Sequence, residues 1–236
     1  MPVLKHNPTG KRIYFIHIPR TAGRFVGGNL TMNGFELVGD NNKFVDGVEI
    51  VHFHRKLYEK HLRVRGIPHF TIVRNPIDRF KSAFFNLQFM PGCGNGQVTN
   101  ISAIMKDLYS LSMDVRTYNW YRPMVDFVTE KTKVWKFEDG FGDDFFSWLS
   151  AIIGVDVNLK DISYTNIGYG INDRTFQNTQ DLPDEVIEHI TKFYHNDIEQ
   201  FYPELKKWQR LDIYQQGRDF SLLIYPGLQE GLLKPI

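Results

Sequence analysis

The sequence RIYFIHIPRTAG occupies residues 12–23 and contains a strand signal, a loop signal and a helix start in succession. Residues 12–18 are β-branched and aromatic and end at Pro19, a pattern typical of a short strand buried on both faces of a sheet. Helical sequence follows Gly23. The stretch therefore predicts a strand, a loop and a helix that follow one another directly.

Similar signals recur along the chain. Apolar runs at residues 48–53, 69–73 and 133–137 predict three more strands. Pro76 suits the first turn of a helix that runs towards residue 89, and LPDE at residues 182–185 opens a late helix with an apolar stripe. Strands that alternate with helices predict parallel βαβ units, whose ligand sites lie at the carboxyl ends of the strands.

These patterns predict an α/β fold that is Rossmann-like and of the P-loop type, with a central parallel sheet flanked by helices. We expect a single domain over residues 1–236, with a tail from about residue 208 packed on it. The length and the 42% hydrophobic content suffice for one sizeable core. Because chemistry collects at strand ends in such folds, the residues after each strand are the candidates for function.

Composition narrows the class of protein. Lys and Arg total 28 against 27 Asp and Glu, so the net charge of +1 gives no reason to expect a nucleic-acid partner or binding to a membrane surface. The single cysteine, Cys93, forms no intramolecular disulfide, and the chain lacks the ligand spacing of a zinc site. The apolar run at residues 13–18 is too short for a membrane span. We expect a cytoplasmic protein that contains no metal and no membrane span.

The loop after the first strand is the first candidate anion site. Free N–H groups and the dipole at a helix start favour a phosphate group, and a small residue followed by glycine lets the backbone approach it. The spacing is neither that of a Walker loop nor that of the Gly-x-Gly-x-x-Gly fingerprint. An ordinary strand-to-helix turn with surface arginines fits these residues equally well. The candidate binding residues are Pro19, Arg20, Thr21, Ala22, Gly23, Arg24 and Phe25.

A second candidate follows the strand at residues 69–73. Arg74, Arg79 and Ser82 lie within nine residues, and Arg79 and Ser82 share a helix face because they are three positions apart. Arginine binds phosphate bidentately and stays charged at any physiological pH. The alternative is a surface arginine paired with Asp78 and a serine that faces solvent. Two such motifs on one edge of a sheet indicate an anion site more specifically than either motif does alone.

Together the motifs resemble a known family. FIHIPRTAG at residues 15–23 is similar to the 5′-phosphosulfate loop of sulfotransferases that use 3′-phosphoadenosine 5′-phosphosulfate (PAPS), and IVRNPIDRFKSAF at residues 72–84 is similar to their 3′-phosphate motif. HFH at residues 52–54 resembles the His-x-His element of the uronyl 2-O-sulfotransferase branch, which includes heparan sulfate 2-O-sulfotransferase. FED at residues 137–139 and the late helix resemble weaker landmarks of the family.

The resemblance implies a function. It implies transfer of a sulfuryl group from PAPS to a hydroxyl of an acceptor, expected to be a saccharide, with 3′-phosphoadenosine 5′-phosphate (PAP) as product and no metal required. It places Arg74 and Ser82 on the 3′-phosphate and makes His54 the general base, with Arg20 and His52 as the other catalytic candidates. Two residues depart from the family, because Arg20 replaces its usual lysine and Arg24 replaces its usual hydroxyl residue.

Several alternatives stay open on the sequence. The basic residues that follow His54 could hold an anionic saccharide or form a solvated helix face, and the aromatic residues near Trp120 could stack on a sugar or belong to the core. The chain could also be a catalytically weak or inactive PAPS- or PAP-binding protein. A small-molecule kinase-like phosphotransferase is a further alternative, although the Walker lysine is missing. The acceptor and the oligomeric state are not encoded in a pattern that we recognise.

Overall fold

The computed structural model describes residues 3–39, 43–62, 64–88, 108, 119–160 and 182–205, with side chains up to residue 84 in the third of these ranges. Within those ranges the strands are β1 Val3–His6, β2 Arg12–Ile16, β3 Phe35–Leu37, β4 Phe44–Val45, β5 Val48–Glu49, β6 His69–Val73 and β7 Lys133–Lys136. The helices are α1 Gly23–Met32, α2 Arg55–His61, α3 Pro76–Gln88, α4 Asp143–Ile153, α5 Asp184–Phe193 and α6 His195–Phe201. The chain thus alternates strands and helices, as an α/β fold does.

The main sheet has five strands in the order β3-β1-β2-β6-β7. The three predicted strands β2, β6 and β7 are parallel neighbours, with Phe15 opposite Phe70 and Ile72 opposite Trp135. The prediction of a central parallel sheet is therefore confirmed in part, and the sheet is mixed, because β1 runs antiparallel to both β2 and β3. A tight turn through Gly10, at φ 72°, joins β1 to β2, and so short a connection permits only antiparallel pairing.

The predicted strand at residues 48–53 is also corrected. Only Val48–Glu49 is extended, and it pairs with Phe44–Val45 in a separate two-stranded hairpin. Asp46 and Gly47 both have positive φ, 52° and 76°, which is the geometry of a two-residue hairpin turn. Residues 50–52 then form a 3₁₀ turn. His54 therefore does not follow a strand of the main sheet but stands at the N-cap position of α2.

Apolar side chains cover both faces of the sheet. On one face Phe15 and Phe70 pack with Phe145 and Leu149 of α4, all of them buried. On the other face Ile16 and Val73 belong to a cluster with Tyr58, Phe127 and Phe201. Ile13, Tyr14, Phe15 and Ile16 are at most 2% exposed, which confirms that β2 is buried on both faces.

The late helix is interrupted at Tyr194, so that two helices, α5 and α6, carry the predicted apolar stripe. Val186, Ile190, Tyr194 and Ile198 of that stripe are buried, as expected of a core helix. The tail expected from about residue 208 lies outside the described residues. None of the helices that the structure describes is long and apolar enough to cross a membrane.

Candidate functional site

The loop after β2 has an unusual backbone. Arg20 and Ala22 both adopt left-handed conformations, with φ values of 70° and 66°. Between them Thr21 is fully buried, and its hydroxyl donates to the carbonyl of Ile18 at 2.8 Å. Ala22 then stands at the N-cap of α1 without a side-chain capping bond. Backbone N–H groups in such a turn and at a helix start form a concave surface that favours an anion.

Gly23 is the first residue of α1 and packs directly on a histidine. A Cβ atom at this position would lie 1.8 Å from Nε2 of His17, well inside van der Waals contact. Only glycine therefore allows the start of α1 to rest on the His17 ring. The close approach fixes where the helix N-terminus points relative to the end of β2.

Replacing Gly23 with alanine is expected to lower the free energy of unfolding by about 1–3 kcal/mol, the usual range for overpacking a filled site. Gly142, at the N-cap of α4, is a matched control, because a Cβ there would meet no atom within 4 Å. Gly142→Ala should cost less, about 0.5–1 kcal/mol, because it only replaces glycine by the poorer N-cap residue alanine. Denaturant unfolding of both variants measures the difference, and equal losses would contradict the packing of Gly23 on His17.

The two predicted anion motifs are in direct contact. Nε and Nη2 of Arg20 donate to the Ser82 hydroxyl at 3.1 and 2.9 Å. Nη1 of Arg74 lies 3.4 Å from the Arg20 carbonyl, and the Arg74 guanidinium lies over the Phe137 ring at 4.5 Å. Arg20 follows β2, Arg74 follows β6, Phe137 follows β7 and Ser82 lies on α3. The carboxyl ends of three parallel strands thus meet at this point.

Positive charge accumulates at these strand ends. Burial, together with the charges of Arg74 and Arg24, lowers the pKa of Arg20 to about 10. Among the described residues, neither Arg20 nor Arg74 takes part in an ion pair with a carboxylate. Nε of Arg74 is buried and has no hydrogen-bond partner in the part of the chain that the structure describes. Cations that repel one another and retain unused donors form a site suited to a ligand with several negative charges.

The other loop residues frame this site. Pro19 is buried at the loop entrance, and Arg24 is exposed on the first turn of α1. Phe25 is half-buried, and its ring lies 5.3 Å from the ring of Phe141. Of the predicted binding residues, Phe25 therefore serves packing, whereas Arg20, Arg24, Arg74 and Ser82 carry the polar groups.

Glu138 holds the ends of β6 and β7 together. Its Oε1 accepts from the backbone N–H of Asn75 at 2.7 Å, and its Oε2 accepts from the Tyr202 hydroxyl at 2.8 Å. Asn75 in turn caps α3, since its Oδ1 accepts from the N–H of Ile77 at 2.9 Å. Both carboxylate oxygens are thus engaged, and Oε1 positions the start of α3, the helix that carries Ser82.

Arg79 does not join the anion site, contrary to the expected pairing with Ser82. Its side chain is fully buried, donates to the carbonyl of Arg122 and lies 5.5 Å from the centre of the Tyr194 ring. Buried Asp197 supplies the compensating charge and also accepts from the N–H groups of Met124 and Val125 at 2.8 and 2.9 Å. Burial raises the pKa of Asp197 to about 6. Arg79 is therefore an interior cation rather than a surface arginine.

His52 and His17 lie beneath the loop with their rings 4.7 Å apart. Nδ1 of His52 is 3.4 Å from the His17 carbonyl, and its Nε2 is 3.9 Å from Glu49. Burial lowers the pKa of His52 to about 3 and that of His17 well below its usual range. Because both ring nitrogens of His52 have neighbours, this histidine is suited to positioning rather than to proton transfer.

His54 has a different environment. Its ring lies edge-on to Phe127 at 6.5 Å, and its nitrogens form no hydrogen bond to any residue that the structure describes. Burial, followed by the charges of Arg122 and Lys56, lowers its pKa to about 4. At neutral pH the imidazole is therefore uncharged, and it can accept a proton from a bound hydroxyl group.

A turn at residues 119–122 connects the histidines to the arginines and was not anticipated as a unit. Asn119 has a positive φ of 61°, and its Nδ2 lies 3.4 Å from the His52 carbonyl. The next residue, Trp120, presents its ring to Arg20 at 5.3 Å. Trp120, Tyr121 and Arg122 are at most 8% exposed, which favours a core role over a sugar-stacking platform. An asparagine before an aromatic residue was the available signal for a left-handed turn.

The basic residues after His54 form a solvated face in part. Arg55 pairs with Glu59 at 2.8 Å, and Lys60 pairs with Asp46 at 2.9 Å, with all four side chains about half exposed or more. Arg63 lies outside the described residues.

No protein-family model, curated protein or solved structure matches the chain.

Proposed function

We propose that the chain is a sulfotransferase that moves a sulfuryl group from PAPS to a hydroxyl of an acceptor, with a saccharide as the expected acceptor. The observation that carries the proposal is the pair of hydrogen bonds from Arg20 to Ser82, because it joins two sequence motifs that are 62 residues apart into one cationic site. The site lies at the carboxyl ends of parallel strands, where α/β folds bind nucleotides. A Rossmann-like fold of the P-loop type accords with this location.

The residues divide into two anion-binding groups. Arg74 and Ser82 would hold the 3′-phosphate, and the unpartnered Nε of Arg74 is a donor that such a phosphate satisfies. The start of α1 with Arg20 and Arg24 would hold the 5′-phosphosulfate, since helix N–H groups and guanidinium groups both favour dianions. Arg20 contacts Ser82 and Arg74 and would therefore serve both groups of residues.

The chemistry assigns separate roles to His54 and Arg20. When bound, PAPS supplies the sulfuryl group together with a phosphate as leaving group. Uncharged His54 accepts the proton of the acceptor hydroxyl at a ring nitrogen, which makes the hydroxyl oxygen nucleophilic. Arg20 stabilises negative charge on the departing phosphate but does not donate a proton to it, because its guanidinium remains protonated. His52 holds the segment that presents His54.

A second candidate is a nucleotide-binding protein with weak or no transfer activity. It is favoured by the same hydrogen bonds, because two N–H groups of Arg20 already engage Ser82 and fewer remain for a leaving phosphate. Arginine in place of the family's usual lysine points the same way. Measurable PAPS-dependent transfer to a hydroxyl acceptor would decide between the two candidates.

PAP is expected to bind and stabilise the fold without added metal, by about 2.7 kcal/mol at a concentration of 100 times its dissociation constant. Arg74→Ala should lower the affinity for PAP by about 10- to 100-fold, the range for a charged hydrogen bond. It should lower the affinity for 5′-AMP much less, because only PAP carries a 3′-phosphate. Titration calorimetry measures both ligands.

Arg55→Ala is the matched control, since Arg55 is exposed and paired with Glu59 away from the strand ends. It should leave both affinities unchanged. Equal losses of PAP and 5′-AMP affinity in Arg74→Ala would remove Arg74 from the 3′-phosphate. An absolute requirement for Mg²⁺ would favour a kinase-like phosphotransferase instead.

A further inference from the structure

Trp120 contacts Arg20 although it belongs to neither anion motif. The centre of its ring lies 5.3 Å from the guanidinium carbon, within the range of a cation–π contact. The residue is only 8% exposed and belongs to a buried cluster with Phe80, Phe84 and Tyr121. The ring is thus fixed by the core and offers Arg20 an immobile aromatic surface.

Arg20 needs such a surface because its neighbours repel it. Arg74 and Arg24 place like charges beside its guanidinium, and the side chain is withdrawn from bulk water. A guanidinium in that position gains solvation and loses repulsion if it rotates outward. Ser82 holds one edge of the group through two hydrogen bonds, and the ring of Trp120 lies against it from another side.

The contact depends on the ring and not on the indole N–H. Nε1 of Trp120 is buried and has no hydrogen-bond partner among the residues that the structure describes, so it gives Arg20 no polar contact. Arginine stacks on aromatic surfaces through its planar guanidinium, an interaction that any aromatic ring provides to some degree. Phenylalanine at this position would keep the interaction, whereas an aliphatic residue would keep only the bulk.

We propose that Trp120 is a positioning residue that holds the Arg20 guanidinium inside the anion site. The proposal deepens the proposed function, in which Arg20 must face a leaving phosphate. Trp120 lies next to Asn119, which contacts the carbonyl of His52, so one turn supports both the cationic side and the histidine side of the site. This arrangement gives Trp120 an influence on turnover although it touches no reacting atom.

The test measures how fast the Nε–H proton of Arg20 exchanges with water, by NMR on arginine-labelled protein without nucleotide. The Arg20→Lys variant identifies the signal by its loss. Trp120→Leu should accelerate exchange by about 2- to 30-fold, the ratio that corresponds to the range of cation–π energies, while Trp120→Phe should remain close to wild type. Trp120→Met, which also lacks an aromatic ring, is used in place of Trp120→Leu if the leucine variant does not fold.

Trp148→Leu is the matched control, because this indole packs on Trp135 and Phe145 of the other core cluster. It should lower stability without changing exchange at Arg20. In parallel, Trp120→Leu should lower kcat more than it raises KM for PAPS, and Trp120→Phe should restore kcat. If Trp120 served stability alone, Trp120→Leu and Trp148→Leu would both lower stability, and neither would change proton exchange at Arg20.

The proposal fails if Trp120→Leu exchanges the Arg20 proton at the wild-type rate, or if Trp120→Phe is as defective as Trp120→Leu. These outcomes are separate from failure of the proposed function. A wild-type protein that binds no PAP would refute the sulfotransferase assignment, yet the exchange rates in the ligand-free protein would still judge the role of Trp120.

Discussion

His54→Ala is expected to lower turnover by about 10²- to 10⁴-fold, the usual contribution of a positioned acid–base group, and to leave PAP affinity nearly unchanged. The imidazole has no hydrogen-bond partner among the residues that the structure describes, so its removal leaves no buried polar group unsatisfied. In the proposed function the phosphates are held by other residues, namely Arg20, Arg74 and Ser82. Steady-state kinetics and calorimetry on the same preparations measure both quantities.

The pH dependence gives an independent check on the same residue. The pKa of His54 is lowered to about 4, so activity should be lost as pH falls through this value and the imidazole becomes protonated. The acidic limb of kcat/KM should therefore lie near pH 4 and should vanish in His54→Ala. Nucleotide phosphates add negative charge that favours imidazolium, so the limb of kcat should lie at higher pH than the limb of kcat/KM.

His52→Gln is the control for His54, because glutamine retains polar atoms that can reach Glu49 and the His17 carbonyl. Its effect on turnover should be smaller than that of His54→Ala. A reversed order, with His54→Ala near normal and His52→Gln inactive, would transfer the role of base to His52. If neither substitution mattered, the base would have to lie elsewhere, and Asp139 would come before Glu138, whose two oxygens are engaged.

The second large effect is expected at Arg20. Arg20→Ala should lower turnover by about 10²- to 10³-fold, as loss of one group that stabilises developing charge does, and should weaken PAP by less. Arg20→Lys keeps the charge and one donor for Ser82. We expect it to retain activity or raise it, because it introduces the lysine that is usual in the PAPS-dependent sulfotransferases that this loop resembles. Single-turnover rates at saturating PAPS measure the chemical step.

Ser82→Ala is the informative partner variant for Arg20, because it removes the hydroxyl that accepts both N–H groups. If Ser82 competes with the leaving phosphate for the N–H groups of Arg20, Ser82→Ala should lower the affinity for PAP. It should then reduce turnover less than Arg20→Ala does. An Arg20→Lys variant that folds normally but is inactive would show that the site depends on guanidinium geometry.

Sequence patterns predicted those parts of the fold that local signals determine. Apolar runs predicted strands β2 and β6, because both strands are buried on both faces. Gly23 and Pro76, which are strong helix signals, predicted where helices α1 and α3 begin. Strands β1 and β3 were missed because they span only four and three residues, too few for a clear alternation of apolar and polar positions. The parallel core of the sheet was therefore predictable, and its antiparallel side was not.

The candidate site was predictable only in its composition. Arg79 and Ser82 are three residues apart on one helix, yet one is fully buried and the other contacts Arg20. Which of them reaches the site depends on Tyr194, between α5 and α6, and on Asp197 of α6, which receive Arg79. Likewise, Asp46-Gly47 is typical of a two-residue hairpin turn before His52. The apolar run at residues 48–53 led to the prediction of one longer strand instead. Contacts between distant segments decide such details.

The left-handed backbone of Arg20 also bears on how this chain can evolve. An L-residue in that region loses about 1–2 kcal/mol relative to its preferred conformations, a loss that glycine would largely avoid. Arg20→Gly would relieve this strain, but the variant would lack the guanidinium on Ser82. Stability and activity thus compete at a single position, and a laboratory search that screens only for folding would discard the feature that distinguishes this loop.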